Sequence, residues 1–165
     1  MGRTPFQNCV ELARRIAIFR DKWCIICGDP SNPHGHHIWL KSRKIWTVLV
    51  DPDFVVRLCG KHHTLSKESA HERELEFREK IINRIGQSDP DRATKLGRFL
   101  ISPHTSFEYK RSMEEKPEWA EIAADLIMRL KITEEHYHMD MANVDETYRG
   151  RTDEIGNKSF ESPKE

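Results

Sequence analysis

The chain has 165 residues, enough for one domain with appendages or a small domain with a helical extension. A hydrophobic content of 37% and a mean hydropathy of −0.72 describe a polar, soluble protein and exclude a bundle of membrane spans. The formal net charge of zero argues against a uniformly basic surface, yet residues 1–84 carry 15 Lys and Arg against 10 Asp and Glu, and residues 85–165 carry 12 against 17. A basic nucleic-acid face with an acidic extension would have that asymmetry, and so would the ordinary fluctuation of a solvated surface.

Thr4-Pro5 reads as an N-cap followed by proline in the first helical position. Phe6, Cys9, Val10, Ala13, Ile16 and Ala17 then recur at helical spacing, which predicts an amphipathic helix to about Phe19. Its cations Arg14, Arg15, Arg20 and Lys22 suit a solvated face first and phosphate contact second. Cys9 is expected to be a small buried apolar residue. Asp29 to Gly35 is dense in turn formers and reads as a loop that carries His34. His37-Ile38-Trp39-Leu40 and Phe54-Val55-Val56-Arg57-Leu58 read as the strands of a hairpin. Lys41, Arg43 and Lys44 fall in the connection, with Trp46 to Val50 a further β-prone run. Trp39 and Trp46 are expected to pack in the core rather than stack on bases. A short helix should start at His62 and pass through Lys67 to about Ala70.

Three longer helices follow. Leu75, Phe77, Ile81, Ile82 and Ile85 give an amphipathic helix ending at Gly86. Asp89-Pro90 opens the next, with Ala93, Leu96, Gly97, Leu100 and Ile101 on one face and Ser102-Pro103 as its stop. Pro117 opens the third, striped by Trp119, Ile122, Ala123, Leu126, Ile127 and Leu130. From residue 142 the sequence is polar and aperiodic, the composition of a disordered tail. The expected boundaries are therefore 1–86 for a core with its N-terminal helix, 87–141 for a helical extension and 142–165 for the tail. No signal peptide and no apolar run able to span a bilayer is visible, so the expectation is the cytoplasm of a bacterial or phage-infected cell, with no membrane partner.

The histidines and cysteines are concentrated between Cys24 and His63. Cys24, Cys27, Cys59 and His62 form two close pairs with the spacing of a structural zinc site; soft thiolates and one imidazole suit tetrahedral Zn2+. A core of about 60 residues buries too little apolar surface to be comfortably stable alone, and zinc would supply the shortfall. Folding one pair onto the other carries His63 back towards His36 and His37. A zinc knuckle without catalysis is the plainer alternative for the four ligands, and chance surface placement the plainer alternative for the three remaining histidines.

In its order, Cys-x-x-Cys, then His36-His37, then Leu58-Cys59-Gly-Lys-His62-His63, the segment from about Arg14 to His71 resembles the HNH endonuclease family in its zinc-stapled ββα-metal form. The resemblance implies an α+β fold: a small ββα-metal core with a Cys3His zinc, an N-terminal helix and a C-terminal helical extension. It implies that His37 is the general base, and that His36 and His63 hold a catalytic Mg2+ or Mn2+. It implies metal-dependent hydrolysis of DNA phosphodiesters, in a homing, packaging-associated or restriction enzyme, leaving a 5′-phosphate and a 3′-hydroxyl. Lys41, Arg43, Lys44, Arg57, Lys61 and Lys67 are the pool for contacts to double-stranded DNA. The sequence departs from the family at Phe54, where an asparagine usually steadies the loop that carries the base; Asp51 or Asp53 is the candidate substitute. His71, after Ser69-Ala70, is either an accessory site residue or a helix-end cation. The alternative function is a non-catalytic zinc-stabilised nucleic-acid-binding module, or an adaptor whose acidic helices recruit a protein partner.

Overall fold

The computed structural model describes residues 2–39, 45–67, 69–103 and 106–155, with side chains through residue 142. Leu40, Lys41, Arg43, Lys44 and residues 156–165 lie outside the described residues.

Helix α1, Pro5–Asp21, starts where its capping residues dictate. The Gln7 amide donates to Thr4 Oγ1 at 3.2 Å and the Thr4 amide donates to Gln7 Oε1 at 2.8 Å, so two otherwise orphaned donors are satisfied reciprocally. Cys9, Ala13, Ile16 and Ala17 are its buried stripe. Strands β1, Pro33–His37, and β2, Val55–Cys59, form an antiparallel pair with Pro33 opposite Cys59 and His37 opposite Val55. All five residues of β2 are buried, because the sheet is covered on both faces. Val55 meets the small side chains Ala13 and Ala17 of α1. Val56 and Leu58 join Ile38, Phe54, Phe77, Ile81, Leu96 and Phe99 on the other face.

The remaining elements are α2, Trp46–Leu49; α3, Glu74–Ser88; α4, Pro90–Ile101; α5, Phe107–Glu114; and α6, Trp119–Ile155. A 3-10 turn at Pro52–Phe54 leads into β2, and a π-helical turn at Lys61–Leu65 leads out of it. Leu126 and Leu130 of α6 pack with Cys9 and Ile16 of α1. The acidic half neutralises part of the basic one across this contact, through Arg15–Glu134 at 2.9 Å and Lys22–Asp140 at 2.6 Å. Among the described residues no helix is long and apolar enough to cross a membrane.

Several expectations are corrected. The first strand is Pro33–His37, not His37–Leu40, so much of the expected loop is in the sheet; pairing Pro33 with Cys59 brings the strand in at the cysteine end. Trp46 to Leu49 is a helical turn because its polar atoms are taken by α5: Thr47 Oγ1 donates to the Glu108 carbonyl at 2.6 Å and lies 2.8 Å from Ser112 Oγ. The helix expected from His62 to Ala70 is confined to the π-helical turn. Leu75 and Ile101 are exposed, at 75% and 84%, while Phe99 takes the core position between α4 and the sheet. Helix α6 continues through residues 142–155, where a disordered tail was expected. The segment 87–141 joins the main core through Leu96 and Phe99.

Candidate metal centres and active-site cleft

The zinc-type ligands converge at the cysteine end of the sheet. Cys24 and Cys27 lie in the turn after α1, Cys59 ends β2, and His62 follows in the π-helical turn. The Sγ of Cys27 is 3.8 Å from that of Cys59, and His62 Nδ1 is 3.6 Å from Cys24 Sγ and 3.4 Å from Cys59 Sγ. A tetrahedron with Zn–S of about 2.3 Å and Zn–N of about 2.0 Å has edges of roughly 3.8 Å between sulfurs and roughly 3.5 Å between sulfur and nitrogen. The four donors match both edges, so the residues fit a metal of zinc's size and preference. None of the four cysteines, Cys9 included, is in a disulfide.

A second cluster lies beside the first. One nitrogen from each of His36, His63 and His71 falls within 4.8 Å of the others. His71 Nε2 is 3.3 Å from His63 Nε2, and the His36 ring lies 5.4 Å from that of His63 and 5.3 Å from that of His71. His34, two residues before His36 on β1, stacks on His63 with centroids 4.8 Å apart and planes 15° from parallel. The turn after the π-helix delivers His71: the Ala70 amide donates to the His62 carbonyl at 2.8 Å, folding the chain back over His63. Burial, with the charges of His63 and His71 beside it, pushes His36 down to about 3; burial, with His34 and His71, pushes His63 down to about 4. These are neutral imidazoles with lone pairs to offer, the form in which histidine binds a metal. An all-nitrogen donor set favours Mn2+, Ni2+ or Zn2+ over Mg2+.

His37 lines the same cleft, which encloses about 280 Å³ and is also lined by Arg14, Leu49, His36, His63 and His71. Its Nε2 lies 3.0 Å from the Leu49 carbonyl at the end of α2. A carbonyl only accepts, so Nε2 carries the hydrogen and Nδ1 keeps a free lone pair. Burial lowers the His37 pKa, the Leu49 contact opposes that, and the Arg14 charge adds to the lowering.

The asparagine position is a core position. Phe54 is 1% exposed and meets Phe99 edge-on at 5.0 Å. Asp51 caps the 3-10 turn by accepting from the Asp53 amide at 3.0 Å, and both carboxylates bind Lys95, so neither holds His37. The backbone serves instead: Leu49 holds the His37 ring, and the Ile38 amide donates to the Phe54 carbonyl at 2.9 Å.

Of the expected phosphate contacts, Arg57 is a correction. It is 5% exposed, and its guanidinium donates to the carbonyls of Ile18 at 3.1 Å and Pro30 at 2.6 Å, which makes it an internal brace. Lys61 and Lys67 are exposed beside the π-helical turn without lining the cleft, and Lys41, Arg43 and Lys44 lie outside the described residues. Two cleft residues are absent from the expected set: Arg14, read as a solvated cation first and a phosphate contact second, and His71, whose role stood open. For His71 the signal was its position after Ser69-Ala70; for Arg14 a helical pattern alone does not say which cation meets the sheet.

The chain matches no protein-family profile, no curated protein and no solved structure.

Proposed function

We propose that this chain is a metal-dependent endonuclease that hydrolyses phosphodiester bonds in DNA, as its resemblance to HNH enzymes implies. The observation that carries the reading is the convergence of His37, its Nε2 held by the Leu49 carbonyl, on a cleft shared with the imidazoles of His36, His63 and His71. Cys24, Cys27, Cys59 and His62 hold a structural zinc that fixes the end of the sheet. His36, His63 and His71 hold a second cation, which when bound supplies Lewis-acid polarisation of the phosphate and charge for the leaving 3′-oxygen. His37 Nδ1 accepts the proton of the attacking water, while the Leu49 carbonyl keeps the ring in the required tautomer and orientation. Few protein donors leave room for water and substrate, which distinguishes such a site from the closed thiolate site. Manganese is the favoured ion over magnesium, and duplex DNA in a bacterial or phage-infected cytoplasm is the favoured setting.

The test is nicking of supercoiled plasmid with Mn2+. His37→Ala should lower the rate by about 10²–10⁴, the usual contribution of a general base, without changing metal content. Cutting by His37→Ala at the unmutated rate would remove the mechanism. The second reading, a non-catalytic zinc-stabilised DNA-binding module, is favoured by Phe54 in the asparagine position. It would show as salt-sensitive DNA binding without any cutting.

A further inference from the structure

Helix α1 crosses the sheet at closer range than side chains normally permit. A Cβ built on Gly35 would lie 2.7 Å from Arg14 Cβ and 3.1 Å from Arg14 Cα, so only a glycine admits the helix here. That approach sets the Arg14 side chain in the cleft wall with His36, His37, His63 and His71.

The neighbouring cations of the helix are engaged elsewhere. Arg15 binds Glu134 at 2.9 Å and Lys22 binds Asp140 at 2.6 Å. Arg20 binds Asp21 and donates to the carbonyls of Pro52 and Val55. Arg14 has a marginal ion pair with Glu11, 3.9 Å long with both side chains more than a third exposed, a contact that solvent largely screens. Among the described residues no carboxylate lines the cleft. A divalent cation on three neutral imidazoles would keep its whole charge, and the guanidinium adds another. Such a cleft selects an anion, and a planar guanidinium fork matches two oxygens of one phosphate.

We infer that Arg14 is a phosphate-binding residue, which grips the phosphodiester presented to the histidine cluster and is delivered across Gly35 by a helix outside the Cys/His segment. The inference rests on the nuclease reading for the identity of the anion, and it places the first contact to the scissile phosphate on α1.

The experiment uses the full chain loaded with zinc and Mn2+. Binding of thymidylyl-thymidine is followed by Mn2+-induced broadening of its 31P resonance, and plasmid nicking is followed in parallel. Arg14→Gln should weaken dinucleotide binding about ten- to hundredfold, with Arg14→Lys intermediate, while Mn2+ affinity read by electron paramagnetic resonance stays unchanged. Nicking should fall in the same order. Binding by Arg14→Gln within twofold of the unmutated chain overturns the inference, and so does the absence of broadening with the unmutated chain. Arg14-dependent binding by a chain that never nicks would sustain the inference and remove the nuclease reading.

Discussion

Phe54 and His71 mark how single residues at this site depart from the pattern they resemble. Phe54 gives its side chain to the core against Phe99, and the hydrogen bond that orients His37 is accepted by the Leu49 carbonyl. A main-chain carbonyl cannot be deleted by substitution, which leaves the orientation of His37 dependent on the position of α2. His71 adds a third nitrogen to a cluster that otherwise offers His36 and His63. Removing it leaves two neutral imidazoles, and each ligand atom lost costs affinity for a cation that imidazole binds only weakly. His71→Ala should therefore weaken Mn2+ binding by at least about tenfold, on the scale of groups that support a metal site. Electron paramagnetic resonance of free Mn2+ measures this, with one tightly held zinc per chain as the control for folding. Unchanged Mn2+ affinity would take His71 out of the site. His36, His37 and His63 were legible because they stand in the sequence beside a recognisable ligand pattern. His71 and Arg14 were not: one reaches the cluster through the fold-back of Ala70 onto His62, the other through the missing Cβ of Gly35.

Between β1 and β2 the hydrogen bonds alone are a weak basis for order, since an isolated two-stranded sheet is marginal in water. The cysteine end of the pair is where the candidate thiolate site lies: Pro33 pairs with Cys59, and Cys59 is one of its four converging donors. Binding on the order of 10–16 kcal/mol at a structural zinc would make the sheet, the π-helical turn and the histidine cluster one folding unit. Cys59→Ser should lose the zinc and the cooperative melt together, read by metal analysis and circular dichroism; a variant without zinc that melts as the unmutated chain does would show that packing suffices. At this scale the helices were the legible part. Thr4-Pro5 and Gln7 set the start of α1, and Asp89 caps α4 by accepting from the Arg92 amide at 3.0 Å. The strands were harder because their limits are set by partners: β1 begins at Pro33 to meet Cys59, and a β-prone run became α2 under contacts from α5. Helix α5 escaped notice because its apolar residues Phe107 and Met113 are exposed and leave no buried stripe.

Across the whole molecule, buried charge ties the later helices to the sheet. Arg92 of α4 donates to the Val55 carbonyl at 2.8 Å and the Asp53 carbonyl at 3.0 Å, and lies 3.3 Å from Asp21 of α1. Lys95, one turn on, binds Asp51 at 2.6 Å and Asp53 at 2.8 Å. Burial alone would raise the Asp53 carboxyl, but Lys95, Arg20 and Arg92 outweigh it and hold it below its ordinary value. Cutting the chain after Gly86 removes Arg92, Lys95, Leu96 and Phe99 from beneath the sheet, and Leu126 and Leu130 from beside α1. Asp21 and the Val55 carbonyl would lose a buried guanidinium, and breaking a buried pair from one side costs about 3–5 kcal/mol. Each large apolar side chain removed adds a further cost of about 2–5 kcal/mol. Those losses together exceed the roughly 5–15 kcal/mol by which a domain of this size is stable. A chain ending at Gly86 should therefore show no cooperative thermal transition even with zinc added. A zinc-loaded fragment that melts cooperatively would mean that residues 1–86 are a domain in their own right and that the later helices are only an attachment.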